Sequence, residues 1–442
     1  MVYNALQING LRKHKPPSPT LVEKYFPMIS NAQLIILLRL SGIEIEKVEL
    51  TADDRLMIHV KSVEDGCLCR CCGKPVDHYH GLGQAIQLRH LPILGYKTYI
   101  AIRPKRYQCQ TCDNKPTTTQ KLDWYNPKSP STKAFEQDIL LSLVNSTIQD
   151  VSIKHDVGQG AIEGMLDRRI QSKVDWDDIK SLEIIGVDEI ALKKGHRNFV
   201  TIISAYIAGM LVVLGVLPDR TKATVKDFFL SIPKHLRKTV KVVCSDLYKG
   251  FINAAKEAFG KRVAVCADRF HVAKLYREGL DSLRKKEMKR LKKELSEKEY
   301  KSLEKVLWLL RKPFHGLADD ERRILNRLFH FSPQLRQAYD LCEALTSIYN
   351  SPLSKGQGQR KMKGWMRQVG NSGLTCFNRF LKTLENHMQE ITNYFIDRNS
   401  SGFVEGLNNK IKVLKRRCYG VGNLGRLFQR LCLDLQGYAM FA

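Results

Sequence analysis

From Leu182 to Leu283 short apolar runs alternate with helical periods, and no other feature of the chain limits its fold as much. Leu182–Ile190, Asn198–Ile207 and Leu211–Leu217 are strand-length runs with turn-length gaps, which suits an antiparallel meander. Thr221–Leu236 has a capped helical pattern. Val240–Ser245 and Arg262–Ala267 are buried-strand runs, followed by helical stretches at Lys249–Phe259 and His271–Leu283. The order βββαβαβα predicts an α/β core. Three of the runs end on an acid: Asp188 after Ile184-Ile-Gly-Val187, Asp246 after Val242-Val-Cys-Ser245, and Asp268 after Val263-Ala-Val-Cys-Ala267. A carboxylate just past a buried strand faces the crevice at the sheet's edge. Several side by side repel one another unless a divalent cation is bound, and hard oxygen donors favour Mg²⁺. Two such ions ~4 Å apart would bind the attacking and leaving oxygens of a phosphoryl transfer. Taken singly, each Asp reads as a turn or cap residue, and Asp268 before Arg269-Phe-His271 suits a helix N-cap.

Charge narrows the partner. The 442 residues include 72 Lys+Arg and 45 Asp+Glu, a formal net charge of +27. That surplus points to a polyanion, most often nucleic acid. At this length two to four domains are expected. No run reaches the ~18 apolar residues of a membrane span. The N-terminus has no basic region followed by an apolar stretch, so the expectation is a soluble, intracellular protein without a secretory signal.

Six of the twelve cysteines fall between Cys67 and Cys112. Cys69-Arg-Cys-Cys72-Gly and Cys109-Gln-Thr-Cys112 are two C-x-x-C pairs, and four thiolates on two knuckles suit a structural, tetrahedral Zn²⁺. Gly73 supplies the tight turn a knuckle needs. Cys67 and Cys71 are spaced too tightly to form a knuckle with Cys69. The 36-residue connection holds strand-like material, His90–Ile93 and Tyr96–Pro104, expected to form a hairpin over the metal.

Elsewhere, a Pro-rich basic lead (Arg12–Pro19) precedes an apolar helix-length stretch and a strand pair within Ile43–Val60. Asn114–Thr132, with three prolines, reads as a linker. Lys133–Leu143, Thr147–His155 and Gln159–Ile170 read as helices. The last two, joined across Asp156-Val-Gly158, suggest a helix-turn-helix whose second helix carries Arg168 and Arg169 for DNA contact. From Leu283 to about Arg398 the pattern is helical, interrupted at Gly356–Gly358 and Gly370–Gly373. Its charged run Arg284–Lys305 (ten basic, five acidic residues) reads as a solvated face. Glu405 opens a strongly basic helix: Asn409–Arg430 holds seven basic residues and no acid. By itself an acid in a first turn complements the helix dipole.

Together these blocks resemble the DDE transposases of the bacterial insertion-sequence ISL-three family. The resemblance is carried by the two C-x-x-C pairs, the helix-turn-helix stretch, Gly186-Val-Asp-Glu189 with Lys194-Gly-His196, and Ser245-Asp246. Most specific are Asp268-Arg-Phe-His271 and Phe403-Val-Glu-Gly-Leu-Asn408 leading into Ile411-Lys-x-x-Lys-Arg416. It implies a multidomain α/β chain: a ribonuclease-H-like mixed-sheet core with a helical insertion, preceded by a zinc-binding β module and a helix-turn-helix. The implied parts are an N-terminal segment at 1–60, the zinc module at 61–115 and the helix-turn-helix at 132–175. The core would occupy 182–283 and 399–442, around an insertion at 284–398. Asp188, Asp246 and Glu405 would be the catalytic triad holding two Mg²⁺, with Mn²⁺ able to substitute. Asp268, His271 and Asn408 would support it, and Lys410, Lys412, Lys415, Arg416 and Arg417 would lie along DNA phosphates. The implied reaction is metal-dependent cleavage at terminal inverted repeats and transfer to target DNA, by a homo-oligomer on double-stranded DNA in the cytoplasm, at the nucleoid. A structure-selective nuclease and a zinc/helix-turn-helix regulator with an inactive core are the competing expectations.

Overall fold

The structure, a computed structural model, describes residues 31–191, 199–398, 402–418 and 422–442. The Arg12–Pro19 lead and Lys194-Gly-His196 lie outside them. The chain divides into two compact units, Met1–Met165 with Gly437–Ala442, and Leu166–Gln436.

In the first unit, helix α1 (Asn31–Leu38) precedes strands β1 (Ile43–Leu50) and β2 (Arg55–Ser62). Then come the short strands β3 (Cys67–Leu68), β4 (Pro75–Val76) and β5 (Tyr79–Leu82), followed by β6 (Ile86–Arg89), β7 (Lys97–Ile102), β8 (Lys105–Gln108) and β9 (Thr117–Thr119). A four-stranded sheet runs β1-β2-β7-β6, with β2 and β7 parallel. Apolar residues alternate along these strands, so Ile43, Ile58, Leu88, Ile100 and Ile102 share one core. The hairpin expected over the metal is therefore corrected: β6 and β7 do pair, but their apolar face needs a wider partner than a cysteine cluster and joins this sheet. Asn114–Thr132 is not a linker either. Thr117–Thr119 pairs with β8, and Leu122 and Trp124 are buried in the same core, so two apolar anchors outweigh the prolines.

Helices α2 (Lys133–Leu143) and α3 (Ile148–His155) start where the sequence places them. Thr132 Oγ1 accepts from Phe135 N, and Thr147 Oγ1 accepts from Asp150 N. Asp156, at φ 51°, ends α3 in the left-handed region, and α4 (Gln159–Arg169) follows after Gly158. This is the expected helix–turn–helix succession.

The second unit contains β10 (Ile184–Ala191), β11 (Phe199–Ile207), β12 (Met210–Leu217), α5 (Lys222–Ser231), β13 (Val242–Ser245), α6 (Lys249–Phe259), β14 (Ala264–Ala267) and α7 (Arg269–Glu294). The βββαβαβα order is observed, except that the helix expected over Thr221–Leu236 breaks at Ile232-Pro233 into α5 and a separate short helical turn, Lys234–Arg237. The sheet runs β12-β11-β10-β13-β14, antiparallel among the first three and parallel from β10 onward. Strand alternation sends Ile185, Val187, Val243 and Val265 to one face, where α5 and α6 cover them with Val225, Phe229 and Phe251.

Helix α7 runs through Leu283 without a break, so the border expected between 283 and 284 falls inside one helix. Its charged half is not wholly solvated. Leu291 is buried, and Glu287, also buried, accepts hydrogen bonds from Ser332 Oγ (2.7 Å) and Arg290 (2.8 Å). Helices α8 (Asp319–Phe331), α9 (Pro333–Asn350), α10 (Lys355–Asn371) and α11 (Asn378–Thr392) follow. Gly356 and Gly358 lie inside α10 rather than interrupting it. A Cβ on Gly358 would stand 2.4 Å from the Phe395 ring, so glycine is kept there for close packing. The chain ends in α12 (Gly402–Arg417) and α13 (Leu424–Phe441).

Candidate active site and metal centres

Parallel pairing aligns Val187 with Ser245 and Ser245 with Ala267. The next residues are Asp188, Asp246 and Asp268. Asp246 and Asp268 stand one position past their strands, whereas Asp188, expected just past a strand, lies inside β10, which continues to Ala191 in its pairing with β11. The three carboxylates thus share one register across neighbouring segments ~4.8 Å apart. They share a face as well, because each lies two residues beyond Gly186, Cys244 and Cys266, which are themselves aligned. Asp188 is 6% exposed, and its Oδ1 accepts from Glu189 N at 2.7 Å. Asp246 Oδ1 accepts from Tyr248 N at 3.0 Å. Asp268 fills two roles at once. It caps α7 through Phe270 N (2.8 Å), and its Oδ2 is bonded to His271 Nδ1 at 2.7 Å.

Burial, aided by the charge on Asp188, pushes the Asp246 carboxyl up to about 6. The Asp268 hydrogen bond raises His271, and the charges of Asp268, Asp188 and Asp246 add to the effect. Both shifts register one thing, an excess of negative charge in a poorly hydrated crevice. Asp188 and Asp246 on adjacent strands suit Mg²⁺, which takes one or two carboxylates and keeps the rest of its shell for water and phosphate.

Helix α12 carries Glu405. Through Leu407, Ile411 and Leu414 it packs on Ile190, Val200 and Ile202, on the face that also bears Asp188. The side chains of Glu405 and Asn408 lie outside the described residues. The basic residues expected to follow DNA divide into two sets. Lys410 Nζ donates to the Asp434 carbonyl and Lys415 Nζ to that of Ala191. Arg417 pairs with Asp434 at 3.4 Å. Arg430, 2% exposed, also faces Asp434, and Arg426 pairs with Asp167. Lys410, Lys415 and Arg417 are therefore engaged within the fold, through Asp434 and the Ala191 carbonyl. Lys412 and Arg416 are exposed, as is Arg168, while Arg169 is half-buried.

The sequence reading missed Arg220. Its guanidinium donates to both Glu189 oxygens (2.8 and 3.0 Å) and stacks on Tyr248 at 5.0 Å. It therefore sits beside the residues that follow Asp188 and Asp246. Its place in the turn before α5 offered no signal beyond the Asp219-Arg-Thr221 cap.

In the first unit, the Sγ atoms of Cys69, Cys72, Cys109 and Cys112 lie within 4.8 Å of one another. Cys72 and Cys109 are 3.8 Å apart, which is the edge of a tetrahedron with Zn–S bonds of ~2.3 Å. The first knuckle closes through Gly73 N to Cys69 O (2.9 Å), with Gly73 at φ 70°. Backbone N–H groups of Cys72 and Cys71 draw the Cys69 thiol down to about 6, while neighbouring thiols push Cys112 up to about 12. Four thiols this close cannot all ionise without a cation among them, so the donor set fits zinc. Cys67 is turned to the Thr118 carbonyl at 3.9 Å, and Cys71 is exposed. That leaves the four residues of the two C-x-x-C pairs as the cluster.

A mixed sheet with Asp188, Asp246 and Asp268 in one register, together with a four-cysteine cluster, is the frame in which the family match falls. The chain belongs to the ISL3 family of DDE transposases, whose family description is "Transposase"; it matches that family over residues 185–431, more than half its length. It is a DNA transposase of the insertion-sequence kind. It is 25% identical over 403 residues to the transposase for insertion sequence element IS1001 of Bordetella parapertussis, covering 90% of this chain and 96% of that one. It is 22% identical over 423 residues to the transposase for insertion sequence element IS1557 of Mycobacterium tuberculosis, covering 89% and 93%. Among solved structures, the Drosophila P element transposase strand transfer complex aligns over 72% of this chain and 95% of that chain. The identity there is 11% and the TM-score 0.38, too slight a likeness to carry an argument. Among the described residues, no helix is long and apolar enough to cross a membrane.

Proposed function

We propose that the second unit is a ribonuclease-H-like core that cuts the ends of a DNA element and joins them to target DNA, with Asp188, Asp246 and Glu405 as its metal-binding triad. The observation that carries this reading is the shared register and face of Asp188 and Asp246, with the Glu405 helix packed on that same face. Bound there, Mg²⁺ or Mn²⁺ would supply the charge that activates an attacking hydroxyl and stabilises the leaving oxygen. The chain's own residues do the remainder. Asp188 and Asp246 hold the cations, and the crevice excludes bulk water around them. Asp268 fixes His271 through Nδ1, leaving Nε2 for a phosphate oxygen. Asn408, one turn beyond Glu405, supports the same end of α12. Lys412, Arg416 and Arg168 meet phosphates without reading sequence. Recognition of terminal inverted repeats is assigned to the zinc module and to the second helix of the helix–turn–helix. Because two ends must be brought together, the working form is a homo-oligomer on DNA, at the bacterial nucleoid.

The test is incubation with labelled terminal-repeat DNA and Mg²⁺, with and without target plasmid. Cleavage and joining support the proposal. Cleavage alone would favour a nuclease, and specific binding with neither would favour a regulator. Asp188→Ala and Glu405→Ala should each abolish chemistry and retain binding. Substantial cleavage by either variant removes the triad assignment.

A further inference from the structure

Asp268 also borders a cleft of ≈ 740 Å³ between the first turns of α7 and the segment Leu307–Arg311. Its floor is apolar: Ala273, Tyr276, Leu280, Leu307 and Leu310. Its rim is cationic, with Lys274, Arg277, Arg284 and Arg311. Two of these cations are paired on the rim itself, Arg284 with Asp281 (2.8 Å) and Lys274 with Glu278 (3.9 Å), so the surplus positive charge rests on Arg277 and Arg311, with Arg269 beside them. Phe270 lines the cleft and is 53% exposed, two residues from Asp268, whose Oδ1 takes the Phe270 N–H. Next to the cleft, Trp308 is 60% exposed and carries the Arg311 guanidinium at 5.0 Å from its ring.

An intact duplex would use the rim but not the floor, since its bases are stacked inside. An apolar peptide would use the floor but has no need of a guanidinium rim. A single unstacked nucleotide has both surfaces, a flat apolar ring and a phosphate on either side. The volume also falls in the range of pockets that enclose such ligands.

Building on the proposed catalytic role of the neighbouring carboxylates, we propose that this cleft receives an unpaired nucleotide of the DNA end. Its base stacks on Phe270, and its flanking phosphates rest on Arg277 and Arg311. Drawing one nucleotide out of the stack bends the strand sharply, and the adjoining phosphodiester is then presented to the Asp188–Asp246–Asp268 register. Stacking on an aromatic ring offsets the free energy of unpairing.

The experiment compares wild type, Phe270→Ala and Leu307→Trp on two terminal-repeat DNAs, one fully paired and one mismatched at the nucleotides flanking the cleavage point. Both variants should cut the paired end about tenfold more slowly than wild type, the scale of one lost stacking contact. On the mismatched end, where unpairing is already done, each should recover to within roughly threefold. Equal loss on both DNAs would mean that Phe270 only seats Asp268, and no loss would mean that the cleft takes no nucleotide; either overturns the proposal. Should a variant not fold, wild-type protein is mixed with DNA carrying 2-aminopurine at those nucleotides, in Ca²⁺ to prevent cutting. A rise in fluorescence on binding is expected, and its absence overturns the proposal. This signal does not depend on chemistry. An error in the triad would therefore appear as cleavage by Asp188→Ala with the fluorescence rise intact.

Discussion

Replacing Asp246 with Asn should make the metal-free protein more stable while destroying its chemistry. Its carboxyl titrates near 6 in the fold against an ordinary 3.8, first because it is buried and then because Asp188 is its neighbour. A folded pKa above the unfolded one means that the folded state favours the protonated form. Stability is thus unaffected by this group below about pH 4, declines as pH rises through the window from 3.8 to about 6, and stays reduced above it. At 1.36 kcal/mol per unit, a displacement of about two units costs ~3 kcal/mol at neutral pH, with 1–3 kcal/mol a fair range. Asn keeps the Oδ1 that accepts from Tyr248 N, so the loop after β13 loses no hydrogen bond.

In EDTA at about pH 8, Asp246→Asn should therefore melt higher than wild type by roughly 5 °C, taking ~2–4 °C per kcal/mol. The gap should close near pH 4, where wild type carries its proton. Adding Mg²⁺ should raise wild type and leave the variant unmoved, and the wild-type response should weaken as pH falls below about 6, because the proton and the cation compete for one carboxylate. The assay is thermal unfolding across pH with EDTA or Mg²⁺. A variant less stable than wild type in EDTA at pH 8, or a gap of the same size at pH 4, would refute the account of Asp246 as a buried charge awaiting a cation.

Cys109→Ser should lower bound zinc, measured by metal analysis, whereas Cys67→Ser and Cys71→Ser should leave it unchanged. Gly279→Ala places a Cβ 2.6 Å from the Cys376 carbonyl oxygen, and overpacking of ~1–3 kcal/mol should exceed the ~1 kcal/mol gain in helix propensity. Gly364→Ala, with nothing within 4 Å of the new atom, should instead stabilise by ~0.5–1 kcal/mol; denaturant titration of the two gives opposite signs. Lys412→Ala with Arg416→Ala should reduce the salt dependence of DNA binding by about two phosphate contacts without loss of fold. Arg417→Ala should mainly destabilise, since it leaves the buried Asp434 short of a partner.

How far the site could be read in advance depended on how local its causes are. Asp188, Asp246 and Asp268 stood out because each ends an apolar run, and strand alternation is written in neighbouring residues. Their common register was not legible, because it comes from parallel pairing between segments separated by whole helices. The parallel pairing of β2 with β7 escaped for the same reason, and with it the destination of the hairpin first placed over the zinc. Asn114–Thr132 was misread because proline content signals local stiffness and says nothing of where Leu122 and Trp124 find a core. The basic stretch after Glu405 shows the widest gap between composition and structure. Seven positive charges without an acid look like a surface for phosphate, yet Asp434 and Asp167, both beyond that window, pair with Arg417, Arg430 and Arg426. Carbonyl oxygens take Lys410 and Lys415. On α12 the exposed basic pair is Lys412 and Arg416, four residues apart on one face of the helix. Lys415 ties α12 to β10, while Lys410 and Arg417 tie it to α13 through Asp434, so under the proposed triad part of this charge would serve to seat the helix that carries Glu405. Loss of Arg417 should therefore reduce the rate of chemistry before it reduces binding.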